Sequence, residues 1–131
     1  MGSRPYQRYE GSCHCGAVRF EIETDFPELT MCDCSICRRY GTLWGYFEQP
    51  EVVVDAAPGA LQEYAWGRKS LAFVRCGHCG CVTHWRPLAG RKSLRMGVNL
   101  RLFEPEQIGP VRIRQLDGAV TEDFIGEYGP V

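Results

Sequence analysis

Three cysteines fall within six positions in Cys32-Asp33-Cys34-Ser35-Ile36-Cys37, a C-x-C overlapped with a C-x-x-C. Such a segment can put three thiolates around one metal ion from a single local stretch, and zinc with three protein ligands and a vacant position is what separates catalytic from structural zinc. Two further groups frame it. In Cys13-His14-Cys15, residues i and i+2 of an extended chain point the same way, so both sulfurs face one side as the chain enters the next strand. In Cys76-Gly77-His78-Cys79-Gly80, the glycines permit the tight turn that aims both sulfurs and backbone N–H groups at one ion. About sixty residues separate Cys15 from Cys76, so an ion shared by Cys13, Cys15, Cys76 and Cys79 clamps an early strand to a late one. That is a structural role, in which ligand-binding free energy becomes folding free energy. Counting does not choose the ligands of the second site. Cys81 is the eighth cysteine, and it or His84 can close the Cys32/Cys34/Cys37 group, or leave it open; an empty or redox-active cluster is the third reading.

Metal is favoured over disulfides on two grounds. The N-terminal stretch MGSRPYQRYEGSCHCG has no apolar leader, which predicts a cytoplasmic protein whose thiols stay reduced. The cysteines also bunch, whereas stapling frameworks scatter them along the chain. No run of about 18 apolar residues occurs, so no membrane span is expected. Fifteen Lys plus Arg against sixteen Asp plus Glu leave a net charge of −1. That balance gives no global basic field for a polyanion and excludes nucleic acid as an expected partner.

A chain of 131 residues, 44% hydrophobic and 24% charged, predicts one domain. Its expected bounds are residues 11–120, after an N-terminal extension (1–10) and before a loosely held C-terminal tail (121–131). Val18, Phe20 and Ile22 alternate with Arg19, Glu21 and Glu23, the period of a half-buried strand. Similar runs cover Thr42 to Glu48, Val52 to Val54, Ala60 to Trp66, Ser70 to Arg75, Val82 to Arg86, Lys92 to Val98 and Val111 to Leu116. Breakers such as Gln49-Pro50, Pro58-Gly59, Trp66-Gly67, Pro87 to Gly90 and Gly109-Pro110 punctuate them as hairpins. The predicted fold is mainly β and antiparallel, with short helical pieces only at Ser35 to Tyr40 and Glu104 to Ile108.

Other residues near the clusters have plainer readings. His14 and His78 lie inside knuckles complete without them, and His84 reads as a core or hydrogen-bonded histidine. Cys81 reads as a small buried strand residue. Asp33 would add unwanted charge between two thiolates and is expected to point outward or cap the next turn. Arg38 and Arg39 are candidate contacts for a cofactor. Three thiolates on a zinc ion leave one negative charge and a bound thiolate adds another, so nearby cations stabilise the loaded state; a guanidinium also holds carboxylates in bidentate fashion. Of Tyr40, Trp44, Tyr46 and Phe47 most are expected in the core, with one or two walling a pocket. Arg95, Asn99 and Arg101 share a parity that suits a polar lining.

The order of motifs, Cys13/Cys15 in GSCHCGAVRFE, then Cys32/Cys34/Cys37 in CDCSICRRYG, then Cys76/Cys79/Gly80 in CGHCGC, resembles the glutathione-dependent formaldehyde-activating enzyme family, which includes centromere protein V. The resemblance covers roughly Gly11 to Glu106. It implies a zinc-binding β-tent fold, with structural zinc on Cys13, Cys15, Cys76 and Cys79. It also implies a catalytic zinc on Cys32, Cys34 and Cys37, where glutathione or a similar thiol meets a small aldehyde such as formaldehyde, for two zinc ions in all. The implied activity is that of a carbon–sulfur lyase, making and cleaving a hemithioacetal. This chain departs from the family where Gly-x-Leu-Asp is common, reading Gly97-Val98-Asn99-Leu100 instead. The alternative to an enzyme is a zinc-scaffolded binding module for a protein partner or a thiol conjugate. A thioredoxin-like redox enzyme is disfavoured, because no cluster lies in a β-α-β context.

Overall fold

The computed structural model describes residues 7–25, 28–65, 70–88, 95–109, 111–117 and 123–128. Among them the chain forms eleven strands: β1 (Gln7–Ser12), β2 (Val18–Thr24), β3 (Glu28–Cys32), β4 (Trp44–Glu48), β5 (Val52–Ala56), β6 (Leu61–Tyr64), β7 (Leu71–Cys76), β8 (Val82–Pro87), β9 (Arg95–Asn99), β10 (Arg112–Asp117) and β11 (Asp123–Tyr128). Two four-residue helices, α1 (Cys37–Tyr40) and α2 (Pro105–Ile108), join them. The fold is mainly β, as the sequence predicts. Strands β1, β2 and β5 form a small sheet, and the rest form a large one in the order β11-β10-β3-β4-β9-β8-β7-β6. Only the β3–β10 pair is parallel. No helix among the described residues is long and apolar enough to cross a membrane.

The alternation in β2 does what its period requires. Val18, Phe20 and Ile22 are buried, and Arg19 and Glu23 are exposed. Their apolar face joins Leu29, Phe47, Met96, Val98 and Ile113 of the large sheet in one buried cluster. Each such side chain contributes about 1.5–3 kcal/mol on leaving water. The opposite parity of the large sheet carries a second cluster, in which Cys32, Cys37, Trp44, Phe73 and Trp85 are buried and Tyr40 and Tyr46 partly so.

Three strands depart from the sequence reading. The sequence pattern marks no strand at Gln7–Ser12 or at 123–128, where β1 pairs with β2 and β11 with β10. The edge strand β1 buries Tyr9 among polar, exposed neighbours, so its alternation is thin. In β3, adjacent Leu29 and Thr30 are both buried; a strand covered on both faces shows no period of two. Trp66 and residues 92–94 of the expected strands lie outside the described residues, as do the breakers at Gly67, 89–90 and Pro110.

His84 ties the sheets together. Its ring, 4% exposed, meets Phe20 edge-on at 5.5 Å between centroids. The Thr83 hydroxyl donates to the Val74 carbonyl at 3.1 Å, so toward His84 Nδ1, 2.9 Å away, it accepts. The imidazole is therefore assigned as neutral with its proton on Nδ1, and burial pushes its pKa down to about 4.

Two expectations follow from this packing. A depressed imidazole pKa leaves the unfolded state holding the extra proton between the two values, so stability is complete above about pH 6.5 and falls by roughly 3 kcal/mol toward pH 4. The stability difference between wild type and His84→Gln, followed by denaturant titration, should shrink across that window; a constant difference would show that His84 does not titrate there. At Gly97 an added Cβ would lie 2.1 Å from Trp85 Nε1. Gly97→Ala should therefore cost about 1–3 kcal/mol, read as a lower melting temperature, and an unchanged melting curve would mean the indole moves aside freely.

Candidate metal centres

The first cysteine pair makes the turn of the β1–β2 hairpin and the third pair makes that of β7–β8. Cys13 follows β1, its N–H donates to the Val18 carbonyl at 2.9 Å, and the Gly16 N–H closes the turn on the Cys13 carbonyl at 3.1 Å. The Gly80 N–H closes the other turn on the Cys76 carbonyl at 2.8 Å. Gly16 and Gly80 both have φ of 82°, a left-handed value that a side chain would strain. Two turns from two sheets thus present four sulfurs, of Cys13, Cys15, Cys76 and Cys79, all within 4.8 Å of one another.

Their spacing fits zinc. Cys13 and Cys15 Sγ are 3.7 Å apart and Cys15 and Cys76 Sγ are 3.6 Å apart. A tetrahedron with Zn–S of about 2.3 Å has edges of about 3.8 Å, whereas a disulfide needs about 2.05 Å; all eight cysteines are free thiols. The electrostatics agree. Backbone N–H groups of Cys81 and Cys15 pull Cys79 down to about 5, and those of Cys79 and His78 lower Cys76. At Cys15 the Ala17 N–H pulls downward, but desolvation and the sulfurs of Cys76, Cys13 and Cys79 outweigh it and the pKa rises to about 11. Cys76 and Cys79 are drawn toward ionisation while Cys15 resists it, which is how a site behaves when it needs a cation to ionise fully.

The second cluster is local. Cys32 ends β3, Cys34 lies in the following turn and Cys37 opens α1, and their three sulfurs also lie within 4.8 Å of one another. Cys32 and Cys37 are buried while Cys34 is half-buried, so access is from the Cys34 side. The turn is fixed from both ends. Asp33 N–H donates to the Leu116 carbonyl of β10 at 3.1 Å, and the Gly41 N–H closes α1 on the Cys37 carbonyl at 3.0 Å. A hydrogen bond from Cys37 pulls Cys32 down to about 6, and the same bond, followed by burial, drives Cys37 upward; the pair shares one proton. This donor set also fits zinc.

Neither Cys81 nor His84 belongs to that cluster among the described residues. Cys81 packs against the inter-sheet core beside Cys13 and Cys79, and His84 faces Phe20. The four-plus-three-plus-one arrangement is the observed one. His14 and His78 are exposed and join neither group. Arg38 and Arg39 are both exposed on α1, where Arg39 Nη1 donates to the Ser35 carbonyl at 2.7 Å. Asn99 and Arg101, expected as polar lining, instead brace the backbone. Asn99 Oδ1 accepts from the N–H groups of Leu43 and Arg101 at 3.3 Å each, its Nδ2 donates to the Val82 carbonyl at 2.9 Å, and Arg101 Nε donates to the Gly41 carbonyl at 2.8 Å. Arg95 lies over the Tyr46 ring, 4.9 Å from its centroid. Trp44, expected among aromatics that fill the core or wall a pocket, also has its indole Nε1 donating to Cys37 Sγ at 3.4 Å, a contact that spacing does not show because it depends on the β3–β4 pairing.

A mainly β chain with two thiol clusters able to hold zinc is the class that fold and site define. Within it, the model of the glutathione-dependent formaldehyde-activating enzyme family matches residues 8–113, and the chain belongs to that family. It is 53% identical over 38 residues to a protein of Halomonas elongata described as a putative glutathione-dependent formaldehyde-activating enzyme; the stretch is 28% of this chain and 24% of that relative. A crystal structure of a Rhodobacter sphaeroides protein is similar at 31% identity with a TM-score of 0.64, over 78% of this chain and 96% of that one.

Because the four-cysteine cluster joins two sheets and the three-cysteine cluster joins neighbours in sequence, their losses should differ. Cys76→Ser should cost about 3 kcal/mol or more and lower the yield, whereas Cys34→Ser should shift the melting temperature far less. Full zinc content and an unchanged melting temperature in Cys76→Ser would overturn the distinction.

Proposed function

We propose that the protein is a zinc-dependent carbon–sulfur lyase that joins a glutathione-like thiol to a small aldehyde such as formaldehyde, and cleaves the hemithioacetal in reverse. In this reading Cys32, Cys34 and Cys37 are the catalytic ligands of a labile zinc, while Cys13, Cys15, Cys76 and Cys79 hold a structural one. The observation that carries it is the three-sulfur cluster on one short segment, half-open at Cys34, with Cys81 and His84 placed elsewhere. Family membership supports the thiol and the aldehyde as partners.

Zinc bound there would ionise the cofactor thiol and polarise the aldehyde carbonyl. The chain's own residues do the rest. Three thiolates limit the local positive charge, and backbone N–H groups offset their excess negative charge. In this reading Arg38 and Arg39, beside the last ligand, hold the two carboxylates of a glutathione-like molecule. Trp44, Phe73 and Trp85 keep water from the inner side of the cluster, which strengthens electrostatic interactions there. The reading places the enzyme in the cytoplasm, where thiols are kept reduced.

Mild chelation should remove the zinc held by three thiolates before the one held by four. Glutathione should then bind the zinc-loaded protein with proton release near neutral pH and protect that zinc, and its S-methyl derivative should bind more weakly. Arg38→Ala or Arg39→Ala should weaken glutathione binding, more so at low salt, where surface charge is less screened. With formaldehyde present, wild type should speed hemithioacetal formation above the uncatalysed rate, and Cys34→Ser should abolish the excess. Equal binding of the two derivatives with no acceleration for any small aldehyde would replace the enzyme with a zinc-scaffolded binding module.

A further inference from the structure

Each sulfur of the second cluster faces an N–H donor, two from the backbone and one from a side chain. Cys32 accepts from the Cys34 backbone and Cys34 from the Cys37 backbone at 3.4 Å. Cys37 accepts from the Trp44 side chain. Trp44 is 1% exposed, and a buried indole N–H needs an acceptor. Its place is fixed by β4, where it sits opposite Thr30 of β3 and Asn99 of β9, and by the Phe73 ring at 6.2 Å between centroids. The position is built, since both flanking strands and a tilted neighbouring ring hold the indole against the sulfur.

The proposed reaction gives this contact a purpose. Aldehydes are electrophiles, and the ligand sulfurs are nucleophiles beside the cofactor thiol that must react. An N–H···S bond draws electron density from the sulfur it touches and so lowers its reactivity without removing it as a ligand. We propose that Trp44 is a positioning residue of the zinc site, whose indole N–H orients the Cys37 sulfur and keeps it from competing with the cofactor thiol for the aldehyde. The inference rests on the proposed zinc at Cys32, Cys34 and Cys37.

Packing alone would also bury an indole here, so the test must separate the N–H from the ring. Replacing Trp44 by 3-benzothienylalanine exchanges the N–H for sulfur at nearly constant shape, and Trp44→Phe provides a second variant. In zinc-loaded protein, iodoacetamide labelling followed by peptide mass spectrometry reports Cys37 against Cys34 as internal reference. The ratio should rise about threefold or more in the isosteric variant, with an unchanged melting temperature, since a hydrogen bond to a charged group is lost. Zinc transfer to a chelator should quicken in the same variant. If neither labelling ratio nor transfer rate moves with the isostere, Trp44 acts by packing and the inference falls, even where Trp44→Phe unfolds. The parent reading fails separately. If added zinc never protects Cys32, Cys34 and Cys37 of wild type from labelling, there is no second zinc site and both fall together.

Discussion

Four sulfurs from two hairpin turns, held within 4.8 Å of one another, are the constraint on which the rest of the structure depends. Cys15 lies 3.7 Å from Cys13 and 3.6 Å from Cys76, too far for a disulfide, and the four together are too close for four thiolates to coexist without a counter-ion. A cation removes the conflict. Because one turn belongs to the small sheet and the other to the large, the same neutralisation fixes how the sheets meet. Cys13 and Cys76 are members of the buried cluster that contains Phe20, Phe47 and Val98, so the candidate ligands and the apolar core are one packing unit rather than an appended site. Stability drawn from that junction is long-range in sequence and is lost as a whole.

The second cluster obeys the opposite rule. Its three sulfurs come from six consecutive residues, on the other face of the large sheet, and little of the fold is closed by them. What holds them is a set of backbone braces: Asp33 to Leu116, and the Asn99–Arg101 pair that links Leu43, Val82 and the end of α1. A site whose frame is kept by hydrogen bonds outside the ligand set can lose and regain an ion without refolding. The proposed division between a metal that folds the chain and one that is free to exchange therefore rests on sequence separation and framing, not on cysteine number.

The parts legible in the sequence were those carried by local pattern. Alternation located β2, and the glycines of Cys76 to Gly80 located the β7–β8 turn. The grouping of Cys13 and Cys15 with Cys76 and Cys79 is legible from the paired cysteines, but the Cys13–Gly16 turn, where the pattern suggests an extended chain, is not. Illegible parts depended on pairing. β3 is covered on both faces and has no period, β1 is an edge with one buried residue in its middle, and β11 pairs beyond the expected end of the domain. The same limit applies to Asn99, whose parity suggested a lining but whose partners on β8 and before β4 make it a brace. Counting does not say whether Cys81 closes the Cys32/Cys34/Cys37 group or only packs; in the structure it packs against the inter-sheet core, outside that group.

How far the proposed chemistry can rest on ionisation alone is set by thiol equilibria. A free thiol of pKa about 8.5 is about 3% ionised at pH 7, so complete ionisation raises the thiolate fraction by about thirtyfold. Part of that is lost, since a less basic sulfur is a weaker nucleophile. Ionisation therefore makes a modest catalyst, and thiols add to formaldehyde unaided. Larger rates require both partners to be held in reach of each other, where effective molarities are large. In the proposed reading that requirement falls on residues outside the ligand set: the Arg38–Arg39 pair as holders of the cofactor, and the aromatic wall of Trp44, Phe73 and Trp85 behind the sulfurs. A cluster that only stored zinc would need neither.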